Sequence, residues 1–209
     1  MRVFRKTLVY IPIVHTYTDM GALGDAVQRV TVQQLGVKAW RHKMREIDEL
    51  WVEIEQVVAR MQLSYERVRL YQDGLPICGR EEEIVRELAA KGSRNHSLLL
   101  RLMEKGATIM GTESPEMLIE EFERVKRSIG GRNPGRMKNR QSDARGSDDI
   151  LLRRRNQFIA HRINTTLQPG ETGILFLGML HALEHLLDKD IQVVYPISQP
   201  EQSGGKSDD

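Results

Sequence analysis

Cysteine is nearly missing from this chain of 209 residues, in which Cys78 stands alone. One cysteine cannot build a disulfide framework, so we expect a protein of a reducing compartment, the cytoplasm. A large charge imbalance is missing too, because the formal net charge is only +2, and this argues against a dedicated nucleic-acid binder. With 40% hydrophobic and 29% charged residues, the composition is that of a globular protein with one well-packed domain.

Long apolar runs are also lacking. No segment approaches the roughly 18 apolar residues that a membrane-spanning helix needs, so no membrane partner is expected. The N-terminal apolar stretch that leads to His15 follows basic residues, as in a signal peptide, but it is short and contains Pro12. We therefore expect a strand there rather than a leader.

Short apolar stretches alternate with helical patterns along the chain. Strands are predicted at 7–15, 68–71, 107–111, 173–180 and 191–197, and helices at 40–61, 81–105 with a break near Gly92, from Ser114 onward, and at 148–167. This alternation predicts an α/β fold, a single-domain sandwich over residues 1–198 with a mostly parallel central sheet of about five strands flanked by helices. The apolar stripe of helix 40–61 is interpreted either as core or as the surface of a homodimer.

Residues 130–147 are rich in glycine, arginine and asparagine and have almost no apolar positions. This composition predicts a long, mobile, basic loop that borders the binding pocket as a lid. The loop offers phosphate contacts for a nucleic acid, but residues 124–145 contain no aromatic side chain for base stacking. Residues 199–209 are expected to form a disordered tail.

Ionisable side chains follow four of the five predicted strands. His15 and Asp19 follow the first, Asp73 the second, Glu113 the third and His181 the fourth. Open parallel sheets bind their ligands beyond the carboxyl ends of the strands. We therefore expect His15, Glu113 and His181 to converge in one pocket.

The last predicted helix supplies two further candidates, Arg155 and Asn156, near the edge of its apolar face. An arginine in that position suits an anionic substrate group or a developing oxyanion. Asn156 is assigned to substrate binding together with Asp19 and Asp73.

A second interpretation exists for the segment HALEH. His181, Glu184 and His185 match the H-x-x-E-H spacing, in which two histidines one helical turn apart bind zinc and the glutamate acts as a base. That motif requires a helix, whereas a hydrophobic strand leads directly into His181. It is kept as the alternative.

The order of these elements resembles the TraB/Tiki superfamily and its erythromycin-esterase relatives. The shared elements are a strand ending in PIVH at His15, a strand ending in GTES at Glu113, a helix with Arg-Asn in RRRNQFIAHRI, and a strand ending in GMLH at His181. The resemblance implies a hydrolase, either a metal-dependent peptidase or a metal-independent esterase. The chain departs from the family pattern at Pro12, where the first G-x-x-H would have glycine, and we do not expect the membrane anchor that some relatives have.

The resemblance also implies roles for individual residues. His15 and His181 become the paired histidines, Glu113 their acidic partner, and Arg155 with Asn156 the helix pair; His15, Glu113, Arg155 and His181 are predicted to be catalytic. A metal held by His15, Glu113 and His181 would be manganese, cobalt or zinc and would lower the pKa of bound water. Without a metal, a histidine oriented by Glu113 would be the general base.

The substrate implied by this interpretation is a small molecule or a peptide. Two functions of other classes remain open. One is a non-enzymatic sensor that holds a phosphorylated small molecule in the same crevice with the help of the basic loop. The other is a nucleic-acid-associated protein that uses the same loop.

Overall fold

The computed structural model describes residues 5–130 and 137–197. Within them a five-stranded sheet is formed by β1 (Lys6–Ile13), β2 (Val68–Gln72), β3 (Thr108–Met110), β4 (Thr172–Gly178) and β5 (Ile191–Val194). All strands pair in parallel, in the order β3-β2-β4-β1-β5. The predicted single-domain α/β fold with a parallel sheet is confirmed, and each strand lies within three residues of its predicted bounds.

Helices connect the strands. They are α1 (Gly24–Leu35), α2 (Val37–Arg60), α3 (Glu81–Ala90), α4 (Arg94–Glu104), α5 (Pro115–Gly130) and α6 (Met137–Thr166), with short 3-10 turns at Tyr17–Leu23, Tyr65–Arg67 and Glu184–Leu186. The predicted break at Gly92 is confirmed, since its φ of 88° ends α3 and the Ser93 hydroxyl then caps α4 by accepting the His96 N–H at 3.1 Å. None of the described helices is both long enough and apolar enough to cross a bilayer.

The direction in which the chain crosses the sheet decides which face each helix covers. From β1 through β2 to β3 the chain moves toward one edge, and from β3 through β4 to β5 it moves back. Because parallel crossovers are right-handed, the two directions place their helices on opposite faces. In β1, Val9, Ile11 and Ile13 therefore pack against α2, α3 and α4, while Leu8 and Tyr10 pack with α6.

The apolar stripe of α2 belongs to this core. Ile47, Trp51, Ile54 and Val58 are buried in the cluster beneath the sheet. The indole N–H of Trp51 donates to the Val14 carbonyl at 3.3 Å, which fixes the helix to the end of β1. The core interpretation is confirmed at these four positions, and a homodimer stays a prediction.

The predicted loop at 130–147 is wrong over much of its length. α5 continues to Gly130 and α6 begins at Met137, so residues 137–147 are helical. Residues such as methionine, lysine, glutamine, arginine and alanine favour helix even where no apolar periodicity reveals it. Residues 131–136 and the predicted tail at 199–209 lie outside the described residues.

The carboxyl ends of β1 and β4 define a crevice. These two strands are neighbours, yet the chain leaves β1 toward the α2 face and leaves β4 toward the α6 face, where Leu183 and Leu187 pack. Ligands of open α/β sheets bind where connections diverge in this way. His15 and His181 follow these two strands and lie at this point.

Candidate active site

Asp73, which follows β2, is the centre of the site. Its Oδ2 accepts the Gly178 N–H at 2.9 Å and lies 2.9 Å from His15 Nε2, while its Oδ1 accepts from Arg155 Nη2 at 2.9 Å. Burial raises the pKa of this carboxyl. The hydrogen bond from His15 and the charges of His15, His181 and Arg155 outweigh burial and hold the pKa well below its usual range. Asp73 is therefore a fixed anion between two histidines and an arginine.

Gly178 allows this approach. A Cβ at position 178 would lie 2.8 Å from Asp73 Oδ2 and 3.9 Å from His15 Nε2. The first of these distances is shorter than a carbon and a carboxylate oxygen tolerate, and Asp73 is held from several sides. The GMLH segment therefore requires glycine at position 178 for a steric reason, the close approach of Asp73.

We expect Gly178→Ala to lower the free energy of unfolding by about 1–3 kcal/mol, since an added methyl group forces Asp73 out of its hydrogen bonds. Urea unfolding monitored by circular dichroism measures this. Gly146→Ala is the matched control, because Gly146 lies within α6 with no atom within 4 Å of an added Cβ. That substitution should be neutral or stabilising by up to about 1 kcal/mol. Equal stability of the two variants would contradict the steric argument.

His15 carries the more basic of the two imidazoles. Its Nε2 bonds Asp73, and its side chain is 30% exposed. Burial alone would lower the pKa of His15, but the hydrogen bond and the charge of Asp73 raise it above its ordinary value, helped by the charge of Asp19. Nδ1 has no hydrogen-bond partner among the described residues.

His181 has the opposite character. A turn in which its N–H donates to the Gly178 carbonyl at 3.1 Å brings the ring back over Asp73, with Nε2 3.7 Å from Asp73 Oδ2. Asn156 Oδ1, on α6, lies 2.5 Å from Nδ1. Because an amide oxygen only accepts hydrogen bonds, the neutral ring carries its proton on Nδ1, and Nε2 is the unprotonated nitrogen. Burial, together with the charges of Arg155 and His15, lowers the pKa of His181 although Asp73 opposes this. His181 is thus held neutral.

Arg155 connects the carboxylates of the site. Its Nε and Nη2 each donate to one oxygen of Glu113 at 2.6 Å, and its Nη1 donates to Glu121 of α5 at 2.6 Å. With Asp73 as a further acceptor, the guanidinium is shared by three carboxylates and its side chain is only 7% exposed. These contacts hold the strand ends against α6, and the catalytic role of Arg155 stays a prediction.

Glu113 is enclosed by donors. Besides Arg155, the Gly74 N–H donates to its Oε1 at 2.9 Å. Burial and the neighbouring Asp73 raise the pKa of Glu113 to about 7 although Arg155 opposes the shift. Both carboxylate oxygens are in use, so Glu113 does not present a free oxygen to the histidines.

His15, Glu113 and His181 were predicted to hold a metal together. They are not arranged as a common ligand set, because both carboxylate oxygens of Glu113 are bonded to Arg155. In residues 5–130 and 137–197 no group of three histidine, cysteine, aspartate or glutamate side chains has the geometry of a metal site. A divalent metal stays a prediction.

Asp19 lies in a different network. Its Oδ2 accepts from the Thr16 N–H at 2.7 Å and from the Thr16 hydroxyl at 2.8 Å, and its Oδ1 accepts from Ser93 and lies 3.5 Å from His96 Nδ1. These contacts fix the turn after β1 to the start of α4. The structure does not place Asp19, predicted to bind substrate, beside His181.

The alternative zinc motif requires a helix that the chain does not form. Residues 179–183 are turn and coil, and the 3-10 turn covers only Glu184–Leu186. Glu184 instead accepts the Tyr195 hydroxyl at 2.5 Å, and His185 is exposed. The H-x-x-E-H interpretation is wrong, because it requires His181 and His185 to lie on one face of a helix and no helix spans these two residues.

Glu121 was not predicted as part of the site. Glu121 lies on an amphipathic helix with many charged residues. Its sequence context does not distinguish it from the neighbouring charged residues that face solvent. Only the packing of α5 beside α6 shows that it reaches Arg155.

The fold and the site define an α/β protein with a buried histidine–carboxylate–arginine cluster at the point where the strand connections diverge. No protein-family model, no curated protein and no solved structure matches this chain. The resemblance to the TraB/Tiki superfamily stays a prediction, and functional proposals rest on the geometry of the site.

Proposed function

We propose that the protein is a hydrolase that uses His15 and His181 as an acid–base pair. One observation carries the proposal: two imidazoles from neighbouring strands face the same oxygen of Asp73, and their pKa values are shifted in opposite directions. A pair of titratable groups whose environments separate their pKa values is the usual basis for assigning an acid and a base.

His181 is the general base in this proposal. Because Asn156 holds the proton on Nδ1, the unprotonated Nε2 takes a proton from water as the water oxygen bonds to the substrate carbonyl carbon, and Asp73 Oδ2, 3.7 Å away, stabilises the imidazolium that forms. The low pKa of His181 keeps the ring neutral, and therefore active as a base, near pH 7.

His15 is the general acid. The raised pKa of His15 favours its protonated form, in which Nε2–H bonds Asp73, and Nδ1–H then donates its proton to the leaving oxygen or nitrogen as the bond from that atom to the carbonyl carbon breaks. The products are a carboxylic acid and an alcohol or amine, and the proton taken up by His181 returns to His15 through solvent. Each group is worth on the order of 10²–10⁴ in rate.

This scheme favours the metal-independent esterase among the activities that the resemblance implies, because Glu113 is committed to Arg155. Hydrolysis should therefore survive dialysis against EDTA. The phosphorylated-ligand alternative gains no support from Arg155, whose guanidinium is shared by three carboxylates, and it therefore depends on other cations such as those of the basic stretch. The nucleic-acid alternative depends on the basic stretch, part of which lies outside the described residues.

We expect a bell-shaped pH profile of kcat/KM. As the pH falls below the lowered pKa of His181, the base is protonated and the rate falls; as the pH rises above the raised pKa of His15, the acid is lost and the rate falls again. In Asp73→Asn, His15 loses the charge that raises its pKa, so the alkaline limb should move to lower pH.

The assay is hydrolysis of ethyl butanoate across the pH range at constant ionic strength, measured as released ethanol, because an alkoxide, unlike p-nitrophenolate, requires a proton from the general acid to leave. His42→Ala removes an exposed imidazole of α2 and should leave both limbs in place. A profile with a single limb, or an alkaline limb unmoved by Asp73→Asn, would contradict the paired assignment.

A further inference from the structure

A cavity of about 500 Å³ lies between α6 and the segment that follows β4. It is lined by Asp149, Leu152, Arg153, Asn156, Gln157, Leu180, Ala182, His185 and Leu186. Asn156 bonds the His181 ring, and Leu180 and Ala182 are the chain neighbours of His181. His181 itself does not line the cavity, so the cavity meets the proposed base on the side of Asn156. Its volume is typical of small-molecule sites.

The lining combines apolar side chains with a rim of exposed polar ones. Leu152 and Leu186 are half-buried, and Leu180 is 83% exposed on the turn directly before His181. The polar side chains Asp149, Arg153, Gln157 and His185 are exposed. Since Asp149 and Arg153 carry opposite charges, the rim has no strong preference for an ion of either sign.

We infer that this cavity binds the acyl chain of the substrate, an uncharged aliphatic ester, and that Leu180 sets the preference for chain length. The inference rests on the proposed hydrolase function. Covering the leucines with an alkyl chain removes apolar surface from water, and the carbonyl at the head of that chain then lies toward His181. Each methylene that is buried should raise kcat/KM about fourfold.

The test compares p-nitrophenyl acetate, butanoate and octanoate. In the parent protein kcat/KM should rise along this series, and Leu180→Ser should lower the octanoate-to-acetate ratio about tenfold through the loss of apolar contact. Ile150→Ser is the matched control, because Ile150 is an exposed apolar residue of α6 (59%) outside the cavity lining. Its ratio should equal that of the parent.

Binding of octanamide, which has the same chain and no ester, separates the two proposals. Calorimetry should show binding by the parent and by Ile150→Ser and at least tenfold weaker binding by Leu180→Ser, with unchanged melting temperatures. If the protein cleaves none of the esters but binds octanamide in a way that depends on Leu180, the hydrolase proposal is wrong and the cavity remains an aliphatic binding site. Ester cleavage without chain-length preference, with octanamide binding unaffected by Leu180→Ser, would overturn the acyl-chain inference and leave the hydrolase in place.

Discussion

Arg155→Met is expected to destabilise the fold by about 3–5 kcal/mol, the usual result of removing one partner from a buried ion cluster. Methionine retains most of the volume of the arginine stem, so the loss reports on charge. Asp73 and Glu113 would then remain buried as adjacent carboxylates without their shared cation. Urea unfolding at pH 7 measures the loss.

Arg154→Met is the matched control. Arg154 is the preceding residue of α6 and pairs with Glu120 at 3.1 Å, but the two side chains are 50% and 33% exposed. A pair of this kind contributes about 0–1 kcal/mol. Similar losses of stability in the two variants would contradict the conclusion that Arg155 holds Asp73 and Glu113 together as their shared cation.

The Arg155→Met variant should also regain stability as the pH falls. Without the arginine, the pKa of Glu113 rises further above its value of about 7, so the folded state binds a proton that the unfolded state releases. A group with a raised folded pKa stabilises the fold at low pH and loses that contribution as the pH rises. The deficit relative to the parent should therefore be smaller at pH 5 than at pH 8.

His15→Ala and His181→Ala are each expected to lower kcat/KM by on the order of 10²–10⁴-fold, since each removes one partner of the proton transfers. His42→Ala should leave activity unchanged, because His42 is an exposed residue of α2. His185→Ala, which changes only the rim of the cavity beside the site, should cost far less than His181→Ala, because His185 is exposed and makes no contact with Asp73. The measurement is ester hydrolysis at the pH optimum, with circular dichroism to confirm that each variant is folded.

The double variant His15→Ala/His181→Ala sharpens this test. Groups that act as one unit give losses that are far from additive, so the double variant should be little slower than the worse single variant. Equal losses at His181 and His185, with His15 indifferent, would contradict the strand-end pair. His181→Gln, which retains a polar side chain, serves if His181→Ala reduces stability.

Much of the fold was predictable because its signals are local. β1 and β4 are nearly continuous apolar runs, as expected of strands covered on both faces, and Ser114–Pro115 marks the start of α5. The start of α6 was not predictable, since residues 137–147 have a helix-favouring composition without apolar periodicity. The glycines and the proline at 130–135 made the predicted loop appear longer, because these residues are typical of loops.

Most members of the site were predictable, but Glu121 and the pairing of the others were not. That His15, Asp73, Glu113 and His181 meet follows from the rule for strand ends. Which carboxylate meets the histidines depends on strand order, which places β2 beside β4 and β3 at the edge. Glu113, at the edge, therefore receives the arginine, and Asp73 receives the imidazoles.

The same strand order has a consequence for the way the chain folds. β4 pairs with β1 on one side and with β2 on the other. The first two strands therefore cannot join one sheet until β4, which comes late in the sequence, is placed between them. A nascent chain that ends before residue 172 would expose two apolar strand edges, which are prone to aggregation. Sequence-distant pairing of this kind makes folding slow. We therefore expect truncated chains to depend on chaperones, and the site to assemble in the last step, when β4 delivers Gly178 to Asp73.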